Sequence, residues 1–164
     1  MRATERGLTV DRLREVIDYD ASTGHLTWKV SRGRSRAGSR AGNRHCKGYW
    51  VVHIDGKNHL AHRLAFALSH GEWPEHEVDH ENRQRDDNRL INLRSATPGQ
   101  NKANTSGGRG ISGLKGVSLS RGRYRAQIQV NSKHLYLGTF DTPEMAHAAY
   151  QAAASQFFGA FARA

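Results

Sequence analysis

Residues 78–101 read VDHENRQRDDNRLINLRSATPGQN, and four side chains in this stretch suit metal-assisted hydrolysis of a phosphodiester. Asp79 is a hard oxygen ligand and Asn101 offers a second oxygen, while His80 is a base that titrates near neutrality without a large shift. Asn92 precedes an apolar residue in a strand-like step and takes the orienting role, in preference to Asn88. Hydrolysing such a bond needs a nucleophile, in-line geometry and neutralisation of charge on the phosphate and the leaving 3′ oxygen. An amide at position 101 brings no charge and is harder than imidazole, so the set favours Mg²⁺ or Mn²⁺ over Zn²⁺, with one ion per site. Asp86, Asp87 and Asn88 compete as ligands, but Asp-Asp-Asn in a polar loop reads as turn chemistry.

Local elements must hold these groups in place. Val78 to His80 predicts a short strand, residues 82–88 a loop, and residues 92–94 a second strand. Thr97 or Ser95 caps a helix that starts at Pro98 and carries Gln100, Asn101 and Asn104. The expected unit is strand, loop, strand and helix, with a metal between the end of the first strand and the helix. Upstream, residues 9–19 have helical spacing at Val10, Leu13, Val16 and Ile17, and Ser22 to Gly24 turn into a strand with Leu26, Trp28 and Val30 on one face. Residues 50–54 and 58–61 form a hairpin around Asp55-Gly56. A helix follows over residues 62–69, ended by His70-Gly71. His62 and Arg63 open that helix, where phosphate can be gripped, although a lone His in such a place reads as structural.

The chain has 164 residues and a formal net charge of +10. Residues 1–50 and 101–164 each carry +6 and residues 51–100 carry −2, so two basic flanks bracket a slightly acidic middle. That balance points to a polyanionic partner, with double-stranded DNA the expected one. Residues 31–47, SRGRSRAGSRAGNRHCK, predict a flexible basic loop in which Arg34, Arg36 and Arg40 track phosphates. The single Cys46 has no internal partner and leaves no set of paired cysteines for zinc. No apolar run reaches membrane-spanning length, and MRATERGL lacks the apolar core of a secretory leader. The expectation is a cytoplasmic protein, monomeric, with no membrane and no protein partner.

The Asp79-His80, Asn92-Leu93 and Asn101 spacing resembles the HNH endonuclease motif, in the phage and intron homing variant whose last His is replaced by Asn. HRLAFALSHGEWP upstream extends the resemblance to about Gly48. The resemblance implies a ββα-metal nuclease in which His80 is the general base, Asp79 and Asn101 bind the metal, and Asn92 hydrogen-bonds to hold the loop and His80 in place.

Residues 102–113, KANTSGGRGISG, read as a linker. Beyond it, Val117 and Leu119 alternate with Ser118 and Ser120. In residues 123–130 Tyr124, Ala126, Ile128 and Val130 face one way, and Arg123, Arg125, Gln127 and Gln129 the other. HLYLGTF is a third strand with Leu135 and Leu137 inward. A helix capped by Asp141 or Thr142 buries Ala146, Ala149, Tyr150, Ala153 and Phe157. The quoted KGVSLS, GRYRAQIQV, LYLGTFDTPEMAHAAY and AAASQFFG resemble the plant ethylene-response-factor (Apetala-type) DNA-binding domain. By that resemblance Ser118, Ser120, Arg123, Arg125, Gln127, Gln129, His134 and Tyr136 face DNA. Ser118 and Ser120 stand where plant members carry Arg, and Tyr136 where they carry Trp, so plant target sequences do not transfer.

The expected fold is α+β: a nuclease domain over 1–101, the linker over 102–113, and a three-stranded antiparallel sheet with one helix over 114–164. The expected function is a metal-dependent, homing-type DNA endonuclease that nicks, directed by the sequence-reading sheet. The alternative is a DNA-binding regulator or recombination accessory protein with an inactive nuclease module. An RNA-binding reading has less support, because no exposed aromatic platform stands out.

Overall fold

A computed structural model describes residues 4–5, 7–105 and 112–162. The chain divides into two compact units, Met1–Ser95 and Ala96–Ala164. Among the described residues no helix is long and apolar enough to cross a membrane.

In the first unit β1 (Thr4–Glu5) and β2 (Leu8–Thr9) pair antiparallel and lead into α1 (Val10–Val16). The Thr9 hydroxyl caps α1 by accepting from the Arg12 N–H. α1 buries Val10, Leu13 and Val16, then ends sooner than the apolar spacing predicts, because Ile17 starts β3 (Ile17–Asp20). β3 pairs antiparallel with β4 (His25–Trp28), setting Ile17 opposite Trp28. β-branched Val16 and Ile17 suit either element, and the cross-strand pairing decides. β4 stops at Trp28, so Val30 is 42% exposed and does not continue the buried face.

The basic segment after β4 is folded onto that strand, contrary to the flexible loop expected. The Trp28 N–H donates to Ser39 O, Gly38 to Trp28 O and Ala41 to Leu26 O, and Ala41 is fully buried. The Arg40 guanidinium lies 3.9 Å from the centroid of the Trp50 ring. Next, β5 (Asn43–Arg44), β6 (Trp50–Ile54) and β7 (Lys57–Leu60) form an antiparallel sheet in that order. α2 (Ala61–His70) follows and ends on Gly71.

α2 ties the core to the elements of interest. Leu64 and Ala67 join Leu13, Ile17, Leu26 and Ile54 in the main cluster. Ala65 packs with Val78 and Leu93 in a second one. Those two residues belong to β8 (Glu77–His80) and β9 (Leu93–Ala96), which pair as a two-stranded sheet. Truncating a fully buried residue such as Leu64 to Ala costs about 2–5 kcal/mol.

The second unit opens with α3 (Pro98–Asn104), whose Thr97 and Gln100 form a reciprocal capping box. Of the linker expected over 102–113, residues 102–104 are helical, and residues 106–111 lie outside the described residues. By its packing α3 belongs with the carboxy-terminal elements. The Lys115 ammonium donates to the carbonyls of Ala103 and Thr105 at its end, and the Lys102 ammonium to Gln129 Oε1 at 2.8 Å. β10 (Val117–Ser120), β11 (Arg123–Val130) and β12 (Lys133–Phe140) form an antiparallel sheet in sequence order. α4 (Pro143–Phe158) packs on it through Ala146, Tyr150, Ala153 and Ala154, not through Phe157, which is 46% exposed. Gly116 lets the chain pass under the Tyr150 ring, into which any Cβ there would run. A register shift between Ala126 and Gln127 pairs Ala126 with Gly138 and Gln127 with Tyr136, so Leu137 is the extra residue of a bulge. Leu135, expected inward, is 37% exposed.

Candidate active site

β8 delivers Asp79 and His80 at its end, and the antiparallel partner β9 returns beside them. The loop between them closes on itself. Asn92, in a single 3-10 turn ahead of β9, accepts at Oδ1 from the Asn82 N–H at 2.9 Å and donates from Nδ2 to Asp87 O at 2.8 Å. The Asn82 side-chain amide donates to Asp87 Oδ2 at 2.7 Å, and Arg89 forks onto both Asp87 oxygens at 2.8 and 2.7 Å. The Arg89 guanidinium holds the Asp87 carboxyl down at about 2, so this brace stays charged in all but strong acid. Asp87 is therefore a structural member of the loop.

The amino-terminal hairpin fixes where the loop goes. The Tyr19 hydroxyl donates to Asn88 O at 2.8 Å, and the Leu90 N–H to Ala21 O at 3.1 Å. Gly24, at φ +76°, passes so close that a Cβ there would sit 2.5 Å from Arg89 N and 2.6 Å from Asn88 C. The consequence is the side-chain position of Asn88: its Oδ1 meets His80 Nε2 at 3.1 Å. Asn88 is 3% exposed and His80 5%. An amide oxygen only accepts, so Nε2 carries the proton and Nδ1 is the basic nitrogen of the neutral ring. Asn92 thus holds the loop, and Asn88 hydrogen-bonds His80.

Two further rings, those of His62 and Tyr49, pack about His80. His80 meets His62 edge to face, with centroids 4.8 Å apart, and Tyr49 lies 5.5 Å from His62 and 6.2 Å from His80. The Arg85 guanidinium stacks 5.0 Å over Tyr49. Burial pushes the His62 pKa down to about 3, helped by the charges of His80 and Arg63. Burial also lowers that of His80, against the opposing pull of its Asn88 hydrogen bond and of Asp79. His80 is consequently neutral at neutral pH, the state a general base requires.

Asp79 is 5% exposed, and its Oδ2 accepts from Arg94 Nε at 3.0 Å, with Arg94 Nη2 also 3.0 Å away. Among the described residues no three His, Cys, Asp or Glu side chains cluster at metal-ligand spacing. This donor chemistry fits a hard ion bound through one carboxylate and otherwise by neutral oxygens and water, as Mg²⁺ is. It does not fit a His- or Cys-rich zinc cage. Asn101 lies on α3 in the second unit.

Of the arginines expected to track phosphate, Arg34 and Arg36 are exposed, and Arg40 is exposed while stacked on Trp50. In the second unit the register sets Ser118 opposite Arg125, Ser120 opposite Arg123, Gln127 opposite Tyr136 and Gln129 opposite His134. All eight residues named for DNA contact therefore share one face of the sheet. They are not equally open: Gln127 and Gln129 are half-buried, and the Gln129 amide oxygen is engaged by Lys102. Arg125 lies 5.1 Å over Tyr136, and Arg123 pairs with Asp141 at 2.9 Å.

Sequence reasoning gave the orienting role to Asn92 in preference to Asn88, gave no role to Arg94 or Tyr49, and read His62 as structural. For Arg94 there was one usable signal, a lone basic residue in a strand expected to pair with the strand of Asp79. Asn88 was weighed for the orienting role and as a competing metal ligand, and its place in a polar turn set it aside. No curated protein matches the chain. Residues 59–103, which hold His62, Asp79, His80, Asn88, Asn92 and Arg94, match the family model described as HNH endonuclease, which supports an HNH nuclease domain in this stretch and nuclease activity in general.

Proposed function

We propose that the protein is a divalent-metal-dependent DNA endonuclease of the homing type that nicks one strand, with its site chosen by the outer face of the β10–β12 sheet. The observation that carries this reading is the state of His80: buried, neutral, its Nε2–H committed to Asn88, and next in sequence to a buried hard ligand. Nδ1 then takes a proton from a water aligned with phosphorus. The water oxygen bonds to phosphorus, the bond to the 3′ oxygen breaks, the departing oxygen takes a proton from solvent water, and the products are a 5′ phosphate and a 3′ hydroxyl. Mg²⁺ or Mn²⁺ held through Asp79 supplies neutralisation of charge on the phosphate and the leaving oxygen. Asn101 is proposed as a further ligand from its sequence spacing alone. Asn92 keeps the loop closed and Asn88 keeps the ring oriented.

The aligned Arg and Gln side chains of the sheet support base reading, since Arg suits guanine and Gln adenine in the major groove. Arg34, Arg36 and Arg40 supply sequence-independent phosphate contacts. One active site per chain makes a nick by a monomer the expected event.

A supercoiled plasmid incubated with the protein and Mg²⁺, Mn²⁺ or EDTA tests the reading. Relaxed circles should appear with either metal, vanish with EDTA and vanish for His80→Ala, whose DNA affinity stays near that of the parent. A His80→Ala protein that still nicks sinks the assignment of the base. A wild-type protein that binds DNA but nicks with neither Mg²⁺ nor Mn²⁺ returns the chain to the regulator reading.

A further inference from the structure

A cation belonging to the chain already occupies the carboxylate at which the nuclease reading places a metal. Arg94 sits on β9 beside β8, and both its Nε and its Nη2 lie 3.0 Å from Asp79 Oδ2. The pair is dry, with the Asp79 side chain 6% and the Arg94 side chain 16% exposed. The next carboxylate, that of Glu81, is 4.0 Å from Arg94 Nη1 and half exposed. The hard ligand is thus neutralised before any metal arrives. A divalent ion approaching it meets the guanidinium at short range in a poorly solvated place, where like-charge repulsion is strong. A phosphodiester reverses that balance, because it brings a negative charge and oxygens that match the guanidinium fork.

We propose that Arg94 is an internal counter-cation that keeps Asp79 from holding a divalent ion until a DNA phosphate arrives to share the guanidinium, so that metal binding and DNA binding are coupled through this residue. The coupling rests on the nuclease reading above and adds regulation to the same site. In the free protein Arg94 holds Asp79 in place and keeps metal affinity low. With DNA present the guanidinium turns part of its hydrogen bonding to phosphate, and the carboxylate becomes available to the ion. Linkage requires the converse as well: the ion tightens DNA binding by the same factor. Arg94 is therefore a positioning residue and a gate for the metal.

The test follows Mn²⁺ binding to the full chain by the paramagnetic resonance signal of the free ion. Without DNA, Arg94→Gln should bind Mn²⁺ about tenfold or more tightly than wild type, because a nearby positive charge is gone. Arg94→Lys keeps that charge and should stay weak. Equal or weaker binding by Arg94→Gln overturns the proposal. Circular dichroism reports whether each variant folds. Should the Gln variant not fold, wild type with a phosphorothioate duplex carries the test: Mn²⁺ binding should tighten about tenfold through Asp79, and no tightening overturns the coupling. Plasmid nicking by wild type, run alongside, separates the two layers. Nicking without the Arg94 effect removes the coupling alone; the Arg94 effect without nicking under any metal removes the nuclease reading.

Discussion

Asn88→Ala isolates the contact on which the state of His80 depends. The substitution deletes the acceptor 3.1 Å from Nε2. The loop should keep its path, because Asn88 is pinned through its backbone oxygen by Tyr19 and the next turn by the Leu90 to Ala21 hydrogen bond. With both groups at least 95% buried, the stranded N–H loses about 1–3 kcal/mol of stabilisation. The ring relieves that loss by moving its proton to Nδ1 or by rotating, and either response removes the basic nitrogen from its place. If the same free energy now separates the productive tautomer from its competitors, the productive population falls by about 5- to 150-fold. Single-turnover nicking of a supercoiled plasmid should slow by that factor, with DNA affinity and the urea midpoint of tryptophan fluorescence little changed; all three Trp lie in the first unit. Asn88→Asp keeps an acceptor but adds a negative charge, which favours imidazolium. Its rate should recover only at higher pH, with the acid limb of the profile displaced upward. An Asn88→Ala protein that nicks at the wild-type rate refutes the role, as does an Asn88→Asp profile that does not move.

Asn92→Ala should differ in kind, because it removes both hydrogen bonds that close the loop and strands the Asn82 N–H and Asp87 carbonyl. The expected cost is about 2–4 kcal/mol, read from urea melts followed by tryptophan fluorescence. Buried His62 and His80 should also make stability depend on pH. Both have folded pKa values below the unfolded 6.5, that of His62 at about 3, so the unfolded chain binds more protons in between. Stability is then full above pH 7 and falls as pH drops, by about 2 kcal/mol at pH 5 from His62 alone. Asp87 and Asp20, both near 2, add almost no slope above pH 5, and His62→Phe should flatten the slope there. Arg125→Ala, on the open face of the sheet, should cost about 1–3 kcal/mol on the preferred duplex and less on others; an equal loss on every duplex reduces the sheet to a phosphate clamp.

Parts of this architecture could be read from the chain because the reading needed only near neighbours. The hairpin at Asp55-Gly56, the strand–loop–strand of residues 77–96 and the Thr97 cap follow from turn chemistry, alternation and one capping box. Where the reading failed, partners distant in sequence decided. Ile17 leaves α1 because Trp28 is there to pair with it. The Arg- and Gly-rich segment lies down on β4 because its backbone finds Leu26 and Trp28 and its Arg40 finds Trp50. No local pattern shows a Gly, Ser and Arg composition that it has such partners. Phe157 and Phe158 differ by one position on α4, and the interior takes the second.

The division of the chain into units follows the same logic. Spacing groups Asn101 with Asp79 and His80, because a motif is counted along the sequence. Packing groups α3 with the carboxy-terminal sheet, because Lys115 caps its last carbonyls and Lys102 holds Gln129. A motif of this kind names the groups that meet substrate and is silent on those that hold them. His80 and Asp79 are visible as an Asp-His step, whereas Asn88 and Arg94 are identified only by what they touch. Asparagine in a loop and arginine in a strand are ordinary residues until burial removes the alternative of water. At 3% exposure Asn88 has little solvent to turn to, and its amide oxygen faces the imidazole. Burial therefore turns a turn-forming residue into the one that sets the tautomer of a base, and burial is the quantity a lone sequence expresses least.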